Sequence, residues 1–462
     1  MNEITKNVKK EQTKIQKIGI TNDNLTSRGG LAFFVKYIKR INIIRTIAEA
    51  FDGLRKSKKG IPLKKVVSQF LYNTVDGTKH TMTRFDEQQE DRGYLGTIEI
   101  PPKDSVSSHT MKRFFKGVTN IMLKKLQDLL LELFLWRLKL TKPDKIILGA
   151  DTMVLNNNDA KKREGVTPTY KKVLGYHPLF LYWGRMIINM AFHQGSEHHN
   201  TNRDFFNAVL STVKIIRRRY SKTVPIILVS DAGFFDQKYF KMMDRLNVFF
   251  ICGGKLLDSI KLHIMKNTPS SLWKTFEKNN ITYECMDFMD QRDSWSREYR
   301  ALYCTQVDDN GELHLEYDRP ETLIYTNLMG KEKLTEHGLI KFLDRKEVVN
   351  LYHLRAKDEL TNRAMKEFTD ETLPFKKMLP NAAYYFLCVI AHNLLVTFQE
   401  DAISKVVSPV AYPNTVRRIF FDIAGKIVHT GHMIILKFEQ SVFQRLKLTD
   451  IWQKIEISPV FQ

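Results

Sequence analysis

The sequence predicts an α/β fold with a mostly helical N-terminal domain, and three observations predict it. Residues 1 to about 140 carry amphipathic, helix-period segments separated by short polar joints. After residue 145 the texture changes to short runs rich in β-branched and aromatic residues: "KIILGADTMVL", "HPLFLYWGR", "MIINMAFHQ", "VPIILVSDAGFF" and "NVFFICGG". A long helical stretch, "TNRDFFNAVLSTVKIIRRRY", separates the third run from the fourth. Three strands, a helix, a strand, a helix and a strand describe a mixed sheet with flanking helices.

In chain order, helices are expected at 30–53, 62–74, 108–118 and 119–140, with "SKKG" and "DGTKH" as joints. In "SVSSHTMKRFF", residues 105–115, Ser and Thr oxygens stand ahead of an apolar and cationic run. That order predicts a capped basic helix able to touch phosphates, although an ordinary solvated helix carries the same signature. Residues 1–140 are read as an N-terminal region and 141–255 as the first part of the α/β core. From 256 to 340 the runs "REYRALYCTQV", "ELHLEYD" and "TLIYTNL" predict an inserted β subdomain. Residues 341–405 regain helical periodicity and complete the core, and 406–462 form a basic C-terminal region.

Charge is the compositional outlier. Across 462 residues, 72 Lys plus Arg against 51 Asp plus Glu give a net charge of +21. Such an excess points to a polyanionic partner, nucleic acid or an acidic membrane surface. The longest apolar run, "AAYYFLCVIAHNLLVTF" at 382–398, falls short of the roughly 20 residues that span a bilayer. It also contains His392 and Asn393, so a buried core helix and no membrane partner are expected. The basic N-terminus has no apolar core of the kind a secretory signal needs, so residence in the cytoplasm is expected. Four cysteines, Cys252, Cys285, Cys304 and Cys388, show no C-x-x-C spacing and are read as buried small hydrophobes rather than as a zinc or disulfide framework. "HQGSEHH", with His193, His198 and His199, fits no zinc template and reads as a polar loop.

Three carboxylates carry the chemistry. Asp151 follows "KIIL" and Asp231 follows "PIILVS", each near the carboxyl end of a strand read as central, where ligands of open α/β sheets collect. The third comes from "YHLRAKDELTNRAMKEF", residues 352–368. At about 100° per residue, Tyr352, Arg355, Glu359 and Lys366 share a stripe roughly 60° wide. Leu354, Leu360, Ala364, Met365 and Phe368 fall on the opposite side, which predicts one helix anchored by its back. Taken alone, an i,i+4 Arg355–Glu359 pair on a solvated face has the same pattern. Asp151, Asp231 and Glu359 together supply hard oxygen ligands suited to Mg²⁺ plus phosphate oxygens.

The ordered set of strand, "GADT", three-strand meander, helix, strand, "SDAGFF", β insertion and Y-x2-R-x3-E-x6-K resembles the DDE transposases of bacterial insertion sequences, specifically the superfamily of insertion sequence 4. "GYHPLF", "TNL" and "LPNAAYYFLCVIAHNLL" are similar to its insertion sequence 1380 branch, and the similarity runs over roughly residues 20 to 445. The chain departs from that branch at Gly149, where relatives often carry an acidic residue. The resemblance implies an RNase H-like catalytic core with Asp151, Asp231 and Glu359 as a triad holding two Mg²⁺ ions, for which Mn²⁺ substitutes. It implies phosphate contacts from Tyr352, Arg355 and Lys366, and base stacking by Trp295, a role for which Trp273 competes and to which a tryptophan packed in the core is the more common alternative. It further implies double-stranded DNA as partner, with the transposon ends bound by residues 1–140 and helped by the basic C-terminal region, a homodimer bridging two ends, and cleavage followed by strand transfer in a bacterial cytoplasm. The alternatives are a catalytically silent DNA-binding protein derived from a transposase, and an RNase H-like nuclease without strand transfer.

Overall fold

The computed structural model describes residues 15, 17–55, 59–196, 203–256, 273–278, 281–293, 295–307 and 321–461. Its N-terminal helices include α1 (Leu31–Ile41), α2 (Leu63–Asp76), α3 (Ser108–Lys116) and α4 (Asn120–Thr141). The expected capped helix forms as α3: the Ser107 hydroxyl accepts from the Thr110 N–H at 3.2 Å. Thr119 does the same for α4, accepting from Met122. The opposite end of α4 stops at Lys142, whose left-handed φ of 46° turns the chain toward the sheet.

Nine strands form one sheet: β1 (Ile146–Thr152), β2 (Leu179–Trp183), β3 (Met186–Ala191), β4 (Ile226–Ser230), β5 (Phe249–Gly253), β6 (Lys274–Lys278), β7 (Ile281–Asp290), β8 (Tyr299–Val307) and β9 (Thr322–Thr326). In space they run β6-β7-β8-β9-β5-β4-β1-β2-β3. β1, β4 and β5 are parallel, and every other neighbouring pair is antiparallel. The central strands read as continuous apolar runs because both faces are covered: every residue of β4 and β5 is buried. Helices α5 (Asp204–Arg219) and α6 (Gln237–Arg245) make the crossovers that keep β4 and β5 parallel.

Two features differ from the sequence expectation. Of the strands expected as an inserted subdomain, "REYRALYCTQV" and "TLIYTNL" join the main sheet, since β9 pairs with β8 and, at Ile324–Gly253, Tyr325–Cys252 and Thr326–Ile251, with β5, while "ELHLEYD" lies outside the described residues. Two cysteines expected to be separate thiols, Cys285 and Cys304, face each other across β7 and β8 and are joined as a disulfide. Cys252 and Cys388 are buried and free, as expected. The spacing of Cys285 and Cys304 in sequence holds no trace of their register, which the hairpin sets.

Beyond the sheet come α7 (Arg345–His353), α8 (Ala356–Lys366), α9 (Met378–Phe398) and α10 (Leu448–Ile457). Among the described residues one helix, Met378–Ile403, is long and apolar enough to cross a membrane, and 94% of its most apolar window is buried inside the protein. Its polar groups are answered internally. The Asn393 side chain exchanges both of its hydrogen bonds with the backbone of Ile187, at 2.9 and 2.7 Å, and a His392 ring nitrogen meets the Arg185 carbonyl at 2.9 Å. Burial pushes the His392 pKa down to about 4, so the ring packs as a neutral group.

The two ends of the chain share a core. Asn24–Thr26 pairs with the strand Gly425–Thr430, and Phe33 of α1 packs on Phe420, Phe438 and Trp452 with centroids 5.6, 6.0 and 5.7 Å away. The buried rings among them, Phe33 and Phe420, each contribute about 1.5–3 kcal/mol of transfer free energy.

Candidate active site

Asp151 and Asp231 stand abreast. Register pairs Ala150 of β1 with Ser230 of β4, so the next residues lie side by side on parallel strands about 4.8 Å apart. Asp151 is 9% exposed. Its Oδ1 accepts from the Thr152 N–H at 2.8 Å and its Oδ2 from the Asn362 amide at 3.1 Å. Burial raises its pKa to about 6; the negative charges of Asp231 and Glu359 add to the rise, while the Thr152 N–H and Arg355 oppose it. Asp231 caps the turn "AGF", with Oδ1 accepting from the Gly233 N–H at 2.9 Å. A strand-end cap therefore accounts for one of its oxygens.

The segment carrying Glu359 is two helices. α7 ends at His353 and α8 begins at Ala356, because Leu354 and Arg355 donate to the carbonyls of Leu351 and Tyr352, three residues back, and tighten the turn. This shifts the helical phase. Ala364, Met365 and Phe368 are buried as expected, whereas Leu354 and Leu360, expected on the same buried back, are 43% and 52% exposed. The Tyr352 ring packs near the Asp231 turn: a side-chain carbon placed on Gly253 would lie 2.6 Å from the Tyr352 hydroxyl and 2.8 Å from the Ala232 nitrogen. Burial raises the Tyr352 pKa above its ordinary value.

Arg355 is the electrostatic hub. Burial opposes its charge, but Tyr352, Asp231, Asp151 and Glu359 outweigh that and hold its pKa above the ordinary value. One of its nitrogens lies 3.8 Å from Glu359 Oε1, and the Glu359 side chain is 64% exposed. Lys366 reaches Glu371 at 2.7 Å, and Glu371 in turn accepts from the Asn156 N–H at 3.0 Å, just beyond the Asp151 strand. Tyr352, Arg355 and Glu359 lie toward the carboxyl edge of β1 and β4, with Glu359 turned outward, while Lys366 reaches the segment after β1 through Glu371.

Asp151 and Asp231 are the hard oxygen donors a divalent cation takes, and the acidic neighbours that raise Asp151 are the surroundings such a cation relieves. Among the described residues, however, no three of His, Cys, Asp and Glu lie close enough to hold a metal ion. A shared site requires the exposed Glu359 side chain to turn inward from Arg355.

Trp295, expected to stack on a base, is 7% exposed and packs among Phe235, Phe240, Tyr299 and Tyr325, with the Arg292 guanidinium 5.2 Å above it. With Trp295 these make a cluster of five aromatic rings beside the turn after Asp231. Trp273 packs edge-on against Tyr303, 5.9 Å away. His193 is buried and meets Asp204 at 2.7 Å, while His198 and His199 lie outside the described residues.

Sequence reasoning missed Asp358, Asn362 and Tyr170. Asp358 is 7% exposed, and burial with the Asp151 charge raises its pKa to about 8. A cavity of about 370 Å³ opens beside it, lined among others by Gly149, Arg185, Leu351 and Arg355. Tyr170, half exposed and packed on the His177 ring with centroids 5.0 Å apart, has its pKa raised by its partial burial and by the charges of Asp151 and Asp231. The acidic pair "DE" at 358–359 was the one visible signal, and the single-helix wheel gave it to Glu359 alone.

Residues 7–460 match the family model described as "Transposase DDE domain group 1". No curated protein matches the chain by sequence. A cryo-EM structure of the piggyBac transposase synaptic complex with hairpin DNA is similar at 12% identity, over 87% of this chain and 82% of that chain. Its TM-score of 0.39 is too loose an overlap to equate the two folds.

Proposed function

The chain belongs to the transposase DDE domain family, and from that membership we propose that it binds the terminal inverted repeats of an insertion sequence and catalyses metal-dependent DNA cleavage and strand transfer. The observation that carries the reading is the side-by-side placement of Asp151 and Asp231 on adjacent parallel strands, with Arg355 and Glu359 brought to the same edge from a distant segment. The strand order β3-β2-β1-β4-β5 at the centre of the sheet supports an RNase H-like core, and the insertion sequence 4 superfamily remains its proposed place.

Asp151, Asp231 and Glu359 would hold Mg²⁺, two ions in the full assembly, with Mn²⁺ as substitute. When bound, the metal acidifies an attacking water or hydroxyl and stabilises the leaving oxygen of an in-line phosphodiester displacement. The protein's own residues do the rest. Arg355, charged and poised between the acids, draws a backbone phosphate to them; Lys366 and Tyr352 hold the strand on either side. Once phosphate oxygens neutralise Arg355, its hold on Glu359 weakens and the carboxylate is free to turn inward. Two copies would bridge two transposon ends, and the net charge of +21 supplies the long-range attraction to DNA.

The test is an assay with Mg²⁺ or Mn²⁺ and labelled transposon-end DNA. Cleavage with joining to target DNA is the expected result; cleavage alone indicates a nuclease, and binding without cleavage indicates a silent DNA-binding protein. Glu359→Gln should lower cleavage by at least about 10³-fold while end binding stays within a few-fold. Loss of binding as well would mean that the residue's role is structural.

A further inference from the structure

We infer that Asn362 is a positioning residue that fixes the orientation of the Asp151 carboxylate, and that Tyr182 in turn fixes Asn362. The inference rests on the transposase reading only for what Asp151 does; the geometry stands independently.

An aspartate at a strand end turns freely about its last torsion unless both oxygens are held. Here Oδ1 is held by the Thr152 N–H at 2.8 Å and Oδ2 by the Asn362 amide nitrogen at 3.1 Å. The Asn362 amide would serve equally well in either flip if nothing decided between them. Two groups decide. Its oxygen accepts from the Tyr182 hydroxyl, and the opposite flip would aim that oxygen at a carboxylate. Tyr182 is itself immobile: its side chain is fully buried on β2, where register sets it opposite Gly149 of β1. A chain of two hydrogen bonds therefore runs from the sheet through α8 to Asp151.

The placement has a second consequence. Asn362 follows Glu359 by three residues on the same helix, nearly one turn. The residue that orients Asp151 also tethers the helix that carries Glu359, so the two acids keep a fixed relation while the Glu359 side chain turns. Outer partners of this kind matter to metal affinity as much as the ligands they orient. The other charged groups around Asp151, namely Asp231, Arg355, Asp358 and Glu359, give it no hydrogen bond among the described residues, which leaves Asn362 as the side chain that holds it.

The experiment uses the full chain with Asn362→Ala, Asn362→Leu and Tyr182→Phe beside Asp151→Asn. Leucine keeps the Cγ branching of asparagine in a somewhat larger side chain and removes the donor, so it guards against collapse of the alanine variant. Mn²⁺ affinity is read by calorimetry, end-DNA affinity in EDTA, thermal melting without metal, and cleavage across metal concentrations. The expected result for both Asn362 variants is Mn²⁺ affinity weaker by about 10-fold or more, with cleavage partly restored at high metal. DNA affinity should be retained, and Tyr182→Phe should fall between wild type and the Asn362 variants. Lowered melting with unchanged Mn²⁺ affinity would reduce Asn362 to packing and overturn the inference. If the wild type binds Mn²⁺ through Asp151 yet cuts no DNA, the transposase reading fails while Asn362 is still judged on affinity. If Asp151→Asn leaves Mn²⁺ binding intact, both fail.

Discussion

Gly149 lacks a side chain where one would strike Asp358: a carbon added there would lie 2.1 Å from Asp358 Oδ2. The space is taken by a carboxyl supplied from α8. That placement has an energetic consequence, because Asp358 is buried against Asp151 and its pKa rises to about 8. A carboxyl whose folded pKa exceeds its unfolded value of about 3.9 binds protons more tightly when folded. Its favourable contribution is complete below about pH 4 and is lost progressively as pH rises to about 8; Asp151, raised to about 6, adds loss of the same sign over the lower part of that window. Asp358→Asn should therefore match the wild type near pH 4. It should be more stable at pH 8 by on the order of 3 kcal/mol, allowing for coupling to Asp151, Arg355 and Glu359. Thermal melting in EDTA across that range checks it, and parallel curves for the two proteins would contradict it.

At the scale of elements, α8 is held at its start by the adjoining turn and at its end by a group far away in sequence. Its start is set by the turn at Leu354–Arg355 and its end by Arg417. That guanidinium, 5% exposed, donates to the carbonyls of Thr74, Val75 and Glu367 at 3.1, 2.9 and 2.9 Å and lies over the Phe368 ring at 5.3 Å. Gly77 leaves the room: its left-handed φ of 62° ends α2, and any side chain there would meet the Arg417 guanidinium carbon at 2.0 Å. Arg417→Lys keeps a cation but has no planar fork, so it leaves buried carbonyls unanswered. It should cost about 2–4 kcal/mol, with hydrogen exchange accelerated first at residues 360–368; a loss confined elsewhere would show that the clamp does not hold this helix.

The same elements show what a sequence can and cannot disclose. The strands of Asp151 and Asp231 were legible because burial on both faces forces unbroken runs of Ile, Leu and Val, and the α3 start was legible because Ser107 is a local cap. The split between α7 and α8 was not, since the tight turn at Arg355 is imposed by packing and carries no Pro or Gly. Asp358 and Asn362 were illegible for that reason: a wheel drawn through an unbroken helix assigns them the wrong neighbours. The burial of Trp295 was illegible for a different reason, because it depends on four rings, Phe235, Phe240, Tyr299 and Tyr325, that only the fold brings together.

For the whole molecule, residues of the N-terminal region, the sheet and the C-terminal region share one continuous hydrophobic core. Phe34 of α1 meets Phe398 of α9 at 5.5 Å, and Phe115 of α3 meets Tyr384 of α9 at 5.7 Å. The C-terminal residues close over the same helices: Gly425–Thr430 supplies the partner strand for Asn24–Thr26, Arg417 caps the carbonyls of α2, and the Phe461 N–H donates to the Ile41 carbonyl at 2.9 Å. Removing residues 406–462 would expose Phe33, take away the only strand that pairs with Asn24–Thr26 among the described residues, and leave Asp76 facing Arg28 without Asp422 beyond it. The buried apolar area lost from Phe420, Phe421, Ile451 and Ile455 alone corresponds to roughly 6–12 kcal/mol, comparable to the whole stability of a typical domain. A chain ending at residue 405 should therefore fail to fold, with its N-terminal helices cleaved rapidly in limited proteolysis and no cooperative melt. A truncated chain that melts cooperatively and still binds end DNA would restore the tail to the status of an appendage.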